Sequence, residues 1–224
     1  ALLFGVTGSG KTQVYMRLID RALQAGKSAI VLVPEIGLTP QLIRKFMAQF
    51  GSCTAVLHSA LSVGERYDSW KRIRSGEARV IVGTRSAVFA PAQNLGLIIL
   101  DEEQDDAYKS ENSPRYHARD VAKYRTMQEN AFVLLGSATP TIETFYGAET
   151  GKYPVLHLRE RYSGAALPRV TIADMRGTIQ QGYISAIGPV LRQAMQRCFA
   201  EGHQCILFLN RRGAAKQVTC PSCG

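Results

Sequence analysis

Leu2-Leu3-Phe4-Gly5-Val6-Thr7-Gly8-Ser9-Gly10-Lys11-Thr12 decides how this 224-residue chain is read. A short apolar run, Leu2–Phe4, passes straight into G-x-x-x-x-G-K-[ST], and an amphipathic helix follows. The glycines let the backbone turn successive N–H groups inward, making a nest for phosphate oxygens. The start of the helix adds partial positive charge at the same place. Lys11 is then placed to bridge the β- and γ-phosphates of ATP, and the Thr12 hydroxyl to ligate Mg²⁺. Gly5, Thr7, Gly8, Ser9, Gly10, Lys11 and Thr12 form the expected nucleotide loop. A glycine turn with a stray lysine would need neither the strand before it nor the helix after it.

Working outward, Val14, Tyr15, Leu18, Ile19, Ala22 and Leu23 recur at helical spacing, and Ala25-Gly26 ends the helix. Further strand candidates are Ala29–Val33, Thr54–Leu57, Val80–Val82, Leu97–Leu100, Phe132–Leu135, Val170–Ile172 and Cys205–Leu209. Most are continuous apolar runs, as expected of parallel strands covered on both faces. Alternation with helices predicts an α/β fold with a doubly wound, mainly parallel sheet. Residues 159–188 are less periodic and rich in Gly and Pro, which suggests an interdomain passage. A helix over Pro189 to Ala200 and the strand at Cys205 would open a second lobe.

Leu97-Ile98-Ile99-Leu100 runs directly into Asp101-Glu102-Glu103-Gln104. Carboxylates capping a buried strand, expected beside the phosphate-loop strand, supply a second Mg²⁺ contact. Asp101 suits the metal and Glu102 the water that attacks the γ-phosphate. Lys11, Asp101 and Glu102 are thus the catalytic candidates. A solvated acidic turn would be the alternative, and it would not call for a phosphate loop in the same chain.

Net charge is +9, and five of the 18 acids lie in Asp101–Asp106, so 13 acids face 27 Lys and Arg elsewhere. A basic exterior around one acidic pocket suits a polyanion outside and a cation inside, with ordinary solubility charge as the other reading. No apolar run reaches the roughly 20 residues that span a bilayer, and no signal-peptide layout opens the chain. The expectation is a cytoplasmic protein with no membrane partner. Five cysteines, an odd count, argue against a disulfide framework, and Cys53, Cys198 and Cys205 read as small core hydrophobes.

With both sites placed, the chain resembles the superfamily 2 helicases, and within them the PriA, or primosomal, replication-restart family. Six blocks carry the resemblance in order: Gly5–Thr12, Val33-Pro34-Glu35-Ile36 with Leu38-Thr39-Pro40-Gln41, Gly83-Thr84-Arg85-Ser86, Asp101-Glu102-Glu103, Gly136-Ser137-Ala138-Thr139-Pro140 and Phe208–Gly213. The resemblance implies a RecA-like first lobe over residues 1–178. Residues 179–224 would start a second lobe, the chain being a piece of a longer protein. Family members usually carry His after the three acids, where this chain has Gln104. Gln still offers a donor and an acceptor and can join the box to Ser137 and Thr139, so altered coupling rather than a dead ATPase is expected.

The resemblance also implies a DNA track along Pro34–Gln41 and Gly83–Ser86, with Arg85 on a phosphate and Thr39, Thr84 and Ser86 as neutral donors. His58 is a borderline candidate, read as a packing residue. Tyr108, Lys109, Arg115, Tyr116 and His117 interleave rings with cations, as base-stacking loops do, and look like the family's aromatic-rich coupling loop. Cys220-Pro221-Ser222-Cys223 has the spacing of half a zinc knuckle, with a redox pair as the other reading. The resemblance implies Zn²⁺ in the full-length protein and an incomplete site here.

The function so implied is ATP-dependent, Mg²⁺-requiring translocation on forked and single-stranded DNA, directed 3′ to 5′. Single-strand-binding protein and other primosome components are the implied partners in DNA replication restart. The 224 residues alone are expected to bind ATP weakly and not to unwind. Two rivals remain: a non-helicase P-loop enzyme such as a nucleotide kinase, and a DNA-binding assembly module with a vestigial ATPase. Transfer to a small acceptor unaffected by DNA would favour the first. Indifference of the full-length protein to Lys11→Ala would favour the second.

Overall fold

The structure is a computed structural model and describes residues 1–161, 164, 168–176 and 187–208. Two compact units divide the chain, Ala1–Ala166 and Leu167–Gly224. In the first, seven parallel strands form one sheet: β1 (Leu2–Gly5), β2 (Ser28–Leu32), β3 (Thr54–Leu57), β4 (Val80–Gly83), β5 (Leu95–Asp101), β6 (Phe132–Ser137) and β7 (Val155–Leu158), in the order β3-β4-β2-β5-β6-β1-β7. Helices α1 (Lys11–Gln24), α2 (Pro40–Phe50), α3 (Val63–Arg74), α4 (Ala118–Gln128) and α5 (Ile142–Glu149) complete it.

Strand β2 shows why the apolar runs are continuous. Ala29, Val31 and Val33 pack with Tyr15 and Ile19 of α1 and Phe46 of α2 on one face. Ile30 and Leu32 pack on the other with Ile73 of α3 and Ala118 and Ala122 of α4. Successive side chains of a strand leave it on opposite faces, so a sheet covered twice needs apolar residues at every position. Each such Ile or Leu contributes about 1.5–3 kcal/mol by burial. Local signals set the helix ends. Ser62 and Glu65 form a reciprocal capping box at the start of α3. Thr39 caps α2 by accepting the N–H of Leu42, with Pro40 in the first turn.

Four expectations change. Strand β7 has no counterpart in the sequence reading: Val155-Leu156-His157-Leu158 is short, half-exposed and an edge, and only pairing with β1 makes it a strand. Strand β6 stands between β5 and β1, so the acidic box is not next door to the phosphate loop but two strands away. No strand forms at Val170–Ile172 or Cys205–Phe208. Val170, Ile172, Ile206 and Phe208 are largely exposed, and among the described residues neither run has a partner strand whose ladder it could join. Cys53, Cys198 and Cys205 are intermediate in exposure rather than fully buried, with Cys53 packed against one core cluster. In the second unit the expected helix is present as α6, Pro189–Ala200. Leu209–Gly213, Cys220 and Cys223 lie outside the described residues.

Parallel strands put all their carboxyl ends on one rim, and the register aligns them. Asp101 pairs with Gly136, and Leu3 with Gly136; Leu32 pairs with both Gly83 and Leu100. The candidate site residues of the first unit lie along this rim, on strand ends, helix starts and the loops between them, as is usual for open α/β sheets.

Candidate functional site

Phosphate-loop geometry follows from its glycines. Gly8 and Gly10 sit at φ of 80° and 89°, in the left-handed region that a Cβ disfavours, and Gly10 is the N-cap of α1. The loop, Lys11, Thr12, Asp101 and Glu102 line one cavity of about 390 Å³. Gln13 and Lys45 of α2 line it too. Neither was legible as a site residue, because only the packing of α2 brings Lys45 to the loop. Lys11 Nζ donates to the Gly5 carbonyl at 3.0 Å and lies 3.7 Å from Glu102 Oε1. One lysine thus spans the distance between the two motifs despite the intervening strand.

Asp101 is held from two sides. Tyr15 Oη donates to Asp101 Oδ1 at 2.8 Å, and Tyr108 Oη donates to the Asp101 carbonyl at 2.6 Å and the Leu32 carbonyl at 2.9 Å. Burial, then the Asp101 charge, push both phenols far above the ordinary tyrosine range, so both hydroxyls remain donors. Burial also raises the Asp101 carboxyl above its usual 3.8, while the Tyr15 bond pulls the other way. Gly136 fits this corner because a Cβ there would collide with the Tyr15 ring.

Glu102 adopts φ of 48°, unusual for a residue with a side chain. Left-handed backbone costs such a residue roughly 1–2 kcal/mol. The compensation is visible in its neighbours. Gln104 Nε2 donates to Glu102 Oε2 at 2.9 Å, Ser137 Oγ donates to Gln104 Oε1 at 2.6 Å, and the Thr139 N–H donates to Ser137 Oγ at 2.9 Å. Gln104 uses donor and acceptor together and joins the box to the Gly136–Pro140 segment across β6. Glu103, unassigned in the sequence reading, is 1% exposed. It accepts from the Thr141 N–H at 2.8 Å, Thr144 Oγ1 at 3.1 Å and Arg119 Nη1 at 3.1 Å, tying the box to the start of α5.

Three observations test whether ATP and Mg²⁺ fit. Ser9 Oγ is buried in the loop without a partner, Lys11 points into the cavity, and Asp101 offers a carboxylate at its floor. An orphaned hydroxyl in a glycine loop at the start of a helix suits a phosphate, and a carboxylate lining the same cavity as Thr12 suits a hard cation. The residues fit.

The expected DNA residues fare unevenly. Ser86, Lys109, Arg115 and Thr39 are exposed, Thr39 while capping α2. Tyr108 is fully buried and cannot stack on a base; its ring and hydroxyl anchor the acidic loop instead. Thr84 is buried at 5% exposure, which removes it as a surface donor. Arg85 Nη1 donates to the Ala107 and Lys109 carbonyls at 3.2 and 2.6 Å, so it braces the loop after the box before it meets any phosphate. Tyr116 is half-buried, edge-on to Phe89 at 4.9 Å, with the Arg85 guanidinium 5.9 Å from its ring centre. His117 caps α4, its Nδ1 accepting the Arg119 N–H at 3.2 Å. The neutral ring is favoured, since burial and the Arg119 charge hold it below the ordinary 6.5. Among the described residues no cluster of metal-ligating side chains occurs, and no helix is long and apolar enough to cross a membrane.

Comparison with known proteins agrees with this geometry. The chain is 48% identical over 223 residues to the replication restart protein PriA of Bacillus subtilis (strain 168), covering 100% of this chain and 28% of that protein. It is 45% identical over 224 residues to PriA of Haemophilus influenzae, covering 100% and 30%. The chain therefore spans less than a third of these relatives. Among solved structures, the Pyrococcus furiosus Hef helicase domain superposes with a TM-score of 0.54 at 22% identity, over 73% of this chain and 35% of that one. RecG bound to a three-way DNA junction gives 0.52 at 23%, over 88% and 25%. At those identities the likeness speaks for the RecA-like helicase fold. The family model described as DEAD/DEAH box helicase matches residues 1–146, well over half of the chain, and the chain belongs to that family.

Proposed function

We propose that the chain is the ATP-hydrolysing first lobe of a DNA-translocating motor acting in replication restart. The observation that carries the reading is the convergence of Lys11, Asp101 and Glu102 on one cavity, with Glu102 wired through Gln104 and Ser137 to Thr139. Lys11 exchanges its Glu102 contact for the β- and γ-phosphates, while the loop N–H groups and Ser9 hold the phosphate oxygens. Thr12 and Asp101 would hold Mg²⁺, which would supply charge neutralisation at the transferred phosphate. Tyr15 keeps the Asp101 carboxylate aimed at that position. Glu102, freed from Lys11, orients the attacking water and accepts its proton.

Coupling to DNA would run along bonds already formed. Arg85, on the proposed strand track, holds the Ala107 and Lys109 carbonyls, and Tyr108 between them holds the backbone of Asp101. A strand that shifts Arg85 would pull on the segment that sets Asp101 and Glu102. The likeness to PriA supports forked and single-stranded DNA as substrate, 3′ to 5′ direction, and single-strand-binding protein and primosome components as partners of the longer protein. Division at residues 178 and 179, and Zn²⁺ at Cys220 and Cys223, belong to the same reading. The vestigial-ATPase rival would account for the basic charge and for Gln104, and Gln104 making both relay bonds speaks against the second of these grounds. The test is ATP hydrolysis by this chain extended through a second lobe, with and without forked DNA. Stimulation by the fork that vanishes in Glu102→Gln is expected; hydrolysis indifferent to DNA would overturn the proposal.

A further inference from the structure

Helix α3 carries a feature that neither the ATP site nor the motif-lined track uses. Arg66, Trp70 and Arg74 recur at four-residue spacing, which stacks them along one face of the helix. The Arg74 guanidinium lies 5.4 Å from the centre of the Trp70 ring. Trp70 is nonetheless 40% exposed, and Phe89, across the hollow, is 54% exposed. Arg66, Trp70, Phe89, His58 and Ser86 line a cavity of about 310 Å³, with no carboxylate among its lining residues. An adjoining hollow shares Ser59 and Ser86 with it and adds Arg85 and one acid, Glu35. The two hollows lie over the carboxyl ends of β3 and β4, on the same rim as the nucleotide site.

We infer that this hollow is a nucleobase-binding subsite, in which one base of a single strand leaves the stack and lies against Trp70 and Phe89. Two large exposed rings on a soluble lobe cost solvation unless something flat and apolar covers them. Cations bracketing the rings at Arg66, Arg74 and Arg85 fit a strand whose phosphates flank each base. The cavity is at the lower limit of small-ligand pockets, roughly 300–1,000 Å³, which suits a single base rather than a peptide side chain array. Ser86 belongs to both hollows, so a strand followed by its backbone past Arg85 arrives at the rings without a gap. The inference rests on the DNA reading above and deepens it. It adds a base contact to a track otherwise built for phosphates, and with it a foothold that requires a base.

The chain holds one tryptophan, so Trp70 reports alone. Oligo-deoxythymidine is titrated into the 224-residue protein, with binding followed by anisotropy of the labelled strand and stacking by Trp70 emission. An abasic strand with the same number of phosphates serves as the second probe. Saturable quenching by oligo-deoxythymidine at the binding midpoint, with weaker binding and no quenching by the abasic strand, is expected. Trp70→Ala should weaken oligo-deoxythymidine binding about tenfold and leave the abasic strand unaffected, while Trp70→Phe should bind within about twofold of the parent. Binding with unchanged emission, or equal binding and quenching by both strands, overturns the subsite and leaves the motor proposal standing. Absence of binding by either strand overturns the subsite and the DNA part of the motor proposal together, whatever the variants do.

Discussion

The nucleotide end and the strand end of the same sheet rim differ in how many of their polar groups are already committed. Around Asp101 and Glu102, side chain after side chain is bonded: Tyr15 and Tyr108 hold Asp101, Gln104 holds Glu102, and Glu103 is sealed against Arg119 and α5. Around Trp70 and Phe89 the rings stay 40% and 54% exposed, and two nearby arginines bond only to backbone carbonyls, Arg66 to those of Ser59 and Leu61 and Arg85 to those of Ala107 and Lys109. The contrast has a physical cause. Under the proposed function, hydrolysis would gain from dipoles fixed before the reaction, whereas a moving strand would have to be gripped and released many times. Arg85 stands between the two ends and bonds to the loop of the first while facing the second.

The contrast can be broken by experiment. If the nucleotide end is preorganised around a general base, Glu102→Gln in the extended two-lobe protein lowers hydrolysis by about 10²–10⁴-fold with ATP binding retained. A single-turnover assay showing less than a tenfold loss would remove Glu102 from that role. Glu103→Ala strands the Arg119 charge in the interior and should cost about 3–5 kcal/mol of stability. Thermal melting would show it as a fall on the order of 10 °C, and an unchanged melting temperature would deny that the pair is buried.

Smaller effects sharpen the picture. Tyr108→Phe deprives the Leu32 and Asp101 carbonyls of a shared donor and should cost about 1–2 kcal/mol in urea unfolding, without altering strand binding. A selective loss of DNA binding would restore Tyr108 to the surface. The least effect concerns pH. His117 caps α4 only when neutral, and its folded-state value lies below the ordinary 6.5. Its stabilisation is therefore complete above that value and is lost as pH falls through it towards the folded-state value. In His117→Asn, which keeps a capping acceptor but does not titrate, the decline in stability on acidification from pH 7 should be shallower. Parallel melting curves of parent and variant between pH 7 and 5 would contradict this.

Legibility followed range. Lys11, Thr12, Asp101 and Glu102 were readable because short motifs encode them, and the structure brings them together. Gln104 was readable as a link through the family resemblance, because Gln keeps a donor and an acceptor where members carry His. Lys45, Tyr15 and Glu103 were not readable as site residues. Each looked like an ordinary helix lysine, stripe aromatic or extra acid until packing showed what lay opposite. Tyr108 and Thr84 were misread for a related reason: a polar aromatic or a threonine in a motif has the same letters whether it faces water or core.

Residue order along the chain therefore settled what chemistry is available: an amide nest ahead of Lys11, carboxylates at a strand end, runs apolar enough for a sheet covered on both faces. Those are local properties, written within a dozen residues. Strand order was settled elsewhere, in the insertion of β6 between β5 and β1, the recruitment of β7 as an edge, and the burial of Tyr108 beneath Asp101. Such choices depend on which surfaces exclude water best when the whole domain closes, and no short window of sequence holds that sum.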